Sequence, residues 1–170
     1  MADIQALIRD IPDFPEKGIL FKDITPVIGD AQAFKEAVET MAAPFKGKVD
    51  IVAAIEARGY IFGAPIATSL GTGFVPVRKV GKLPWKTHRV EYALEYGSAT
   101  IEIHQDAFLE GHRVLIVDDV LATGGTLAAT IKLVEQSRAK VAGMAVLLEI
   151  AALGGRKNLA GYDLHALIQC

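Results

Sequence analysis

The 170-residue chain is 51% hydrophobic and carries 18 Lys and Arg against 20 Asp and Glu, for a net charge of −2. That length and apolar content suit one packed domain, and the charge balance excludes a protein built around a basic nucleic-acid surface. No run of about 18 apolar residues offers a membrane span, the start of the chain (Asp3, Arg9, Asp10) is not a secretory signal, and the single cysteine, Cys170, points to a reducing, cytoplasmic setting.

Along the chain, Ile4, Leu7, Ile8 and Ile11 share one side of a short helix over 2–11, ended by Pro12 and Pro15. Residues 12–29, punctuated by proline and glycine, are too apolar for a solvated linker and are expected to pack over other parts of the chain. Asp30 is an N-cap for a helix reaching about residue 43. A buried strand over 49–55 leads through a turn at 56–59 into a helix ending at Leu70, then a strand over 74–77. Residues 78–90 are polar and basic. Strands over 90–96 and 99–104 flank a Gly97-Ser98 turn. A helix from Thr126 to about residue 137 and strands over 140–149 and 164–168 complete an α/β pattern with a mostly parallel sheet.

The most informative run is Val114-Leu115-Ile116-Val117-Asp118-Asp119-Val120-Leu121-Ala122-Thr123-Gly124-Gly125-Thr126. Apolar β-forming residues make a buried strand, two carboxylates close it, and a small glycine-bearing turn opens a helix. Backbone N–H groups at such a turn, with the partial positive charge of the helix start, suit a phosphate. The acids stand where sugar hydroxyls or a hydrated Mg²⁺ would lie. A P-loop is excluded because no lysine follows Gly125, and a dinucleotide fingerprint because the acids come first. Adjacent carboxylates repel and a Thr-Gly-Gly turn makes few contacts; such local costs mark function.

Between residues 78 and 89 the chain concentrates Arg78, Lys79, Lys82, Lys86 and Arg89 with no acid. This segment reads as a flap closing on a polyphosphate, with Gly81 supplying flexibility and Pro84 limiting it. Arg78, Lys79 and Lys82 would neutralise a departing pyrophosphate. Glu95 follows at the end of the next strand.

The 114–126 run resembles the phosphoribosyl pyrophosphate motif of the type I phosphoribosyltransferases. Other segments are similar to the adenine phosphoribosyltransferases within that family. Phe14-Pro15-x-x-Gly18-Ile19-Leu20-Phe21-Lys22-Asp23-Ile24-Thr25-Pro26 matches their N-terminal signature, and Glu56-Ala57-Arg58-Gly59-Tyr60-Ile61-Phe62-Gly63 their pyrophosphate loop. Arg78-Lys79-x-Gly81-Lys82-Leu83-Pro84 and Tyr92-x-Leu94-Glu95-Tyr96-Gly97 match the flexible loop, and Leu148-Glu149-x-x-x-Leu153-x-Gly155-Arg156 the C-terminal segment. Val120 and Glu56 stand where leucine and aspartate are commoner.

The resemblance implies a type I phosphoribosyltransferase fold over residues 1–170: a mostly parallel central sheet flanked by helices, an N-terminal hood of about residues 1–30 and a flexible catalytic loop of about residues 78–98. It implies that adenine and phosphoribosyl pyrophosphate give AMP and pyrophosphate, with Mg²⁺. Ala122, Thr123, Gly124, Gly125 and Thr126 would cradle the ribose 5-phosphate. Asp118 and Asp119 would bind the ribose hydroxyls, directly or through water and a metal held mainly by the substrate. Arg58, Arg78, Lys79 and Lys82 would take the pyrophosphate. Arg58, Lys82 and Glu95 would be catalytic, Glu95 as acid/base or as an ordering group for the closed flap. Leu20, Phe21, Lys22 and Val120 would hold adenine, Leu20 and Val120 sandwiching the ring while backbone around Leu20 and Lys22 reads its edge. A homodimer is implied, without nucleic-acid or membrane partners. A 6-oxopurine enzyme and a non-catalytic phosphoribosyl-pyrophosphate sensor remain as alternatives. The lack of a lysine in 141–152 speaks against the first, and the lack of room for a DNA-binding domain against the second.

Overall fold

Val52, Ala53 and Ala54, like Val114, Leu115, Ile116 and Val117, are fully buried, as strands covered on both faces require. The structure, a computed structural model, describes residues 3–94 and 97–170. The chain forms two units, Met1–Thr40 and Met41–Cys170.

In the first unit a single turn replaces the helix expected over 2–11; Asp3 Oδ1 accepts the Ala6 N–H there at 3.1 Å. The chain then enters strand β1 (Arg9–Pro12), antiparallel to β2 (Leu20–Asp23). A segment this short nucleates a helix poorly. The strand register instead sets Arg9 opposite Asp23 and Asp10 opposite Lys22, closing ion pairs of 2.8 and 2.6 Å. Helix α1 (Thr25–Gly29) follows. Asp30 Oδ1 accepts the Ala33 N–H at 2.8 Å, the expected cap of α2 (Ala31–Ala42).

The second unit runs β3 (Ile51–Ile55), α3 (Arg58–Leu70), β4 (Gly73–Lys79), β5 (Thr87–Ala93), β6 (Ser98–His104), β7 (Arg113–Leu121), α4 (Gly125–Gln136), β8 (Lys140–Glu149) and β9 (Leu164–Gln169). They build a seven-stranded sheet in the order β5-β6-β4-β3-β7-β8-β9. From β4 to β9 all neighbours are parallel, while β6 and β5 add an antiparallel edge. This is the mostly parallel, helix-flanked sheet that the resemblance implied. Helix α3 lies so close to β3 that a Cβ on Gly63 would fall on the Ala54 methyl.

Two details differ from expectation. The basic segment is strand at both ends: β4 continues to Lys79 and β5 starts at Thr87, leaving 80–86 as the connection. Arg78 and Lys79 extend β4 because they find partners in Glu102 and Ile101 of β6. The acidic pair does not close its strand either. β7 runs on to Leu121 because Val120 and Leu121 keep pairing with Leu148 and Glu149 of β8.

Replacing Gly63 with valine is expected to lower the unfolding free energy by about 1–3 kcal/mol, because the helix cannot retreat without opening the core. Urea denaturation measures it; an unchanged midpoint would mean that α3 shifts freely.

Candidate active site

In an open, mainly parallel sheet, the point where strand order reverses leaves a crevice at the carboxyl ends of the strands. Here that point lies between β3 and β7, which lead to opposite sides of the sheet. A cleft of about 330 Å³ opens there. Glu56, Ala57 and Arg58 line it from the β3–α3 turn, Arg78 and Lys79 from the end of β4, and Tyr92 and Ile101 from the β5–β6 hairpin. Asp118, Asp119, Val120, Ala122 and Thr126 line it from β7 and the turn into α4. A second pocket of about 70 Å³ shares Asp118, Val120, Ala122 and Thr126 and adds Thr123, Gly124 and Gly125.

Asp119 is 4% exposed, and Arg58 Nε stands 2.7 Å from its Oδ2. That oxygen accepts no aligned hydrogen bond, so the contact compensates the buried charge chiefly through Coulomb attraction. Asp118 Oδ1 accepts the Asp119 N–H at 2.9 Å. Burial, and then the neighbouring Asp119 charge, push the Asp118 carboxyl well above the ordinary carboxylate range. The first turn of α3 presses on the same group: a Cβ on Gly59 would stand 3.0 Å from Asp118 Oδ1.

No side chain caps the start of α4, where Gly124 adopts a φ of +84°. The first-turn N–H groups are therefore left to an anion or water. Thr126 Oγ1 donates to the Tyr92 hydroxyl at 3.1 Å, tying the helix start to the hairpin. On the opposite wall, Arg78 Nε lies 3.2 Å from Glu56 Oε2, which also accepts the Lys79 N–H at 3.0 Å. Burial opposes ionisation of Glu56, but these donors outweigh it and hold the carboxyl below its usual range.

Glu102 is fully buried beneath the basic turn. Its Oε1 accepts the Gly81 and Leu83 N–H groups at 3.0 and 3.2 Å, and its Oε2 accepts Thr87 Oγ1 at 3.1 Å and Arg89 Nε at 3.0 Å. Sequence reasoning gave a role to neither Tyr92 nor Glu102. The available signal for Glu102 was a carboxylate between two isoleucines, in a strand that follows an acid-free basic turn.

The cleft and its companion pocket thus gather Arg58, Arg78, Lys79, Asp118, Asp119, Val120, Ala122, Thr123, Gly124, Gly125 and Thr126. Lys82 does not line the cleft; its carbonyl accepts from Arg78 Nη1 at 3.1 Å. Leu20, Phe21 and Lys22 lie on β2 of the first unit, where Lys22 Nζ is bonded to Asp10. Glu95 falls outside the described residues. Among the described residues no three His, Cys, Asp or Glu gather to cage a metal. The Asp118–Asp119 pair fits a Mg²⁺ that keeps water and substrate oxygens as most of its ligands.

The sequence matches the phosphoribosyl transferase domain family over residues 27–164. The adenine phosphoribosyltransferase of Thermoanaerobacter sp. (strain X514) is 57% identical over 170 residues, covering 99% of this chain and 98% of its own length. The chain belongs to the adenine phosphoribosyltransferases. Among solved structures of these phosphoribosyltransferases, that from Thermoanaerobacter pseudethanolicus is 57% identical with a TM-score of 0.96, covering 99% of this chain and 98% of that one. The Saccharomyces cerevisiae enzyme, solved with an imino-altritol bisphosphate and adenine, is 36% identical with a TM-score of 0.93, covering 98% and 97%.

Because folding raises the Asp118 pKa, ionising this carboxyl opposes folding. The penalty is absent at about pH 3, where it is protonated in both folded and unfolded chains, and grows as pH rises through the raised value. Asp118→Asn is expected to raise Tm at about pH 8, with the gain vanishing at about pH 3; a gain independent of pH would sink this account. Glu102→Ala should speed amide hydrogen exchange at Gly81 and Leu83 by about tenfold or more, and unchanged protection would show that the turn is held by other contacts.

Proposed function

We propose that this chain transfers the phosphoribosyl group of phosphoribosyl pyrophosphate to adenine, forming AMP and pyrophosphate. The observation that carries the reading is one cleft at the sheet's switch point holding the β7 acid pair, the uncapped start of α4 and the cations Arg58, Arg78 and Lys79. The adenine bound to the yeast relative supports the choice of base.

In this reaction the bond from ribose C1 to pyrophosphate breaks as C1 bonds to adenine N9, through a sugar cation like that of glycoside cleavage. The amides of residues 122–126, with the Thr123 and Thr126 hydroxyls, hold the 5-phosphate at one end of the sugar. Asp118 and Asp119 bind the ribose hydroxyls. Arg58, Arg78, Lys79 and Lys82 neutralise charge growing on the leaving pyrophosphate. Leu20, Phe21, Lys22 and Val120 are the adenine residues, and Glu95 takes the N9 proton or orders the closed flap. Asp118 and Asp119 would stand near a Mg²⁺ held mainly by substrate oxygens, which would add to the neutralisation of the leaving group.

The same reading makes the protein a cytoplasmic homodimer. No helix among the described residues is long and apolar enough to cross a membrane.

The test is pyrophosphate release from phosphoribosyl pyrophosphate and Mg²⁺ with adenine, hypoxanthine or guanine supplied separately. Turnover with adenine alone is expected. Turnover only with a 6-oxopurine would overturn the base assignment, and silence with tight binding of the sugar pyrophosphate would identify a sensor.

A further inference from the structure

The turn that receives the phosphate is held from behind. Asn158, in the 3₁₀ stretch Gly155–Leu159, donates from Nδ2 to the Thr123 carbonyl at 2.7 Å. Gly155 presses on the same turn: a Cβ there would fall on the Ala122 carbonyl oxygen and stand 3.1 Å from the Gly124 nitrogen. In return, a Cβ on Gly124 would stand 2.6 Å from the Gly155 oxygen. Two successive carbonyls, those of Ala122 and Thr123, therefore face this stretch.

A planar trans peptide points its C=O and N–H in opposite directions. The N–H groups sharing those two peptides belong to Thr123 and Gly124, and they face away from the stretch. Both residues line the 70 Å³ pocket together with Gly125 and Thr126. The stretch itself is anchored. Arg156 Nε donates to both oxygens of Glu149, at 2.9 and 3.0 Å, and Arg156 Nη1 to the Leu164 carbonyl at 3.2 Å. Glu149 is 5% exposed and accepts a further bond from Gln169 Nε2 at 2.9 Å.

We propose that Asn158 is a positioning residue for the phosphorylated sugar: by holding the Thr123 carbonyl it aims the Gly124 N–H into the phosphate pocket. This rests on reading residues 122–126 as the 5-phosphate site. Asn158 lines neither the cleft nor its companion pocket, and its effect passes through one peptide plane. It therefore acts on affinity for the phosphomonoester end of the substrate, whereas affinity for the base does not depend on it.

The experiment compares the full-length protein with Asn158→Ala, Asn158→Asp and Asn158→Gln. Aspartate keeps the shape but accepts where a donor is needed, and glutamine keeps the donor. The readouts are KM for phosphoribosyl pyrophosphate, KM for adenine, kcat, and the Kd of ribose 5-phosphate. The alanine variant is expected to raise KM for phosphoribosyl pyrophosphate and the ribose 5-phosphate Kd by about fivefold, the scale of one hydrogen bond. Aspartate should raise them further and glutamine should restore part of the loss. KM for adenine should stay within about twofold, and kcat should change less than KM for the sugar. Wild-type affinity in the alanine and aspartate variants would overturn the role of Asn158 alone. An equal rise in both KM values would overturn it too, as general loosening. A wild-type protein that ignores ribose 5-phosphate would overturn the phosphate reading of the turn, and this proposal with it.

Discussion

Asp118 and Asp119 occupy successive positions near the end of a strand whose preceding residues are sealed from water, so the fold must set two carboxyls side by side at the head of the cleft. Burying one carboxylate beside another is costly unless a cation answers it. Arg58 does so for Asp119 at 2.7 Å, and it can because α3 begins three residues after β3 ends, on the neighbouring strand. The helix reaches that position through close approach: Gly59 lies against Asp118 and Gly63 against Ala54. The opposite wall inverts the pairing, with Arg78 answered by Glu56. Each wall thus presents a charge already held in place, which suits a substrate carrying both phosphates and hydroxyls.

Contacts between positions distant in sequence hold the hairpin and the basic turn in place. Tyr92 meets Thr126 across 34 positions, and Glu102 reaches back 21 positions to Gly81. None of these supports touches the β7 acid pair. They belong to the hairpin, which lends Tyr92 and Ile101 to the cleft, and to the basic turn that leads into it. Such outer contacts hold groups in geometry that a flexible turn would otherwise leave to chance.

The central architecture was legible because its signals are local. Apolar runs bounded by turn residues marked β3, β7 and β8, and the acid pair with its glycine turn marked a phosphate-binding turn before any strand order was known. Asp30 announced α2 through the ordinary chemistry of a cap. The short N-terminal helix misled because Ile4, Leu7, Ile8 and Ile11 fit a helical face, whereas the competing β1–β2 pairing depends on Asp23 and Lys22 further along the chain. The basic segment misled in a similar way. Its charges read as a flap closing on a polyphosphate from residue 78 onward, whereas Arg78 and Lys79 are strand residues because β6 lies beside them. Glu102 was invisible for the complementary reason. Alternation put it on the face opposite Ile101 and Ile103, and only the folded turn buries that face. Asn158 carries no signal at all in a sequence, since its meaning lies in the carbonyl it meets.

The hairpin is joined to the rest of the sheet by few rungs. β5 and β6 pair over seven positions, but β6 meets β4 at only two, Arg78 with Glu102 and Lys79 with Ile101. Tyr92 and Ile101 from this hairpin form one side of the cleft. Beyond those rungs the hairpin is held by Val90, Ile101 and Ile103, buried in the common core, and by the Tyr92–Thr126 bond. That wall of the cleft is therefore only as well placed as this seam and these contacts make it. A ligand that needs Tyr92 and Ile101 in place binds with an apparent affinity scaled by the fraction of molecules in which the hairpin is docked, so a substitution on the β4–β6 seam weakens binding without touching the ligand.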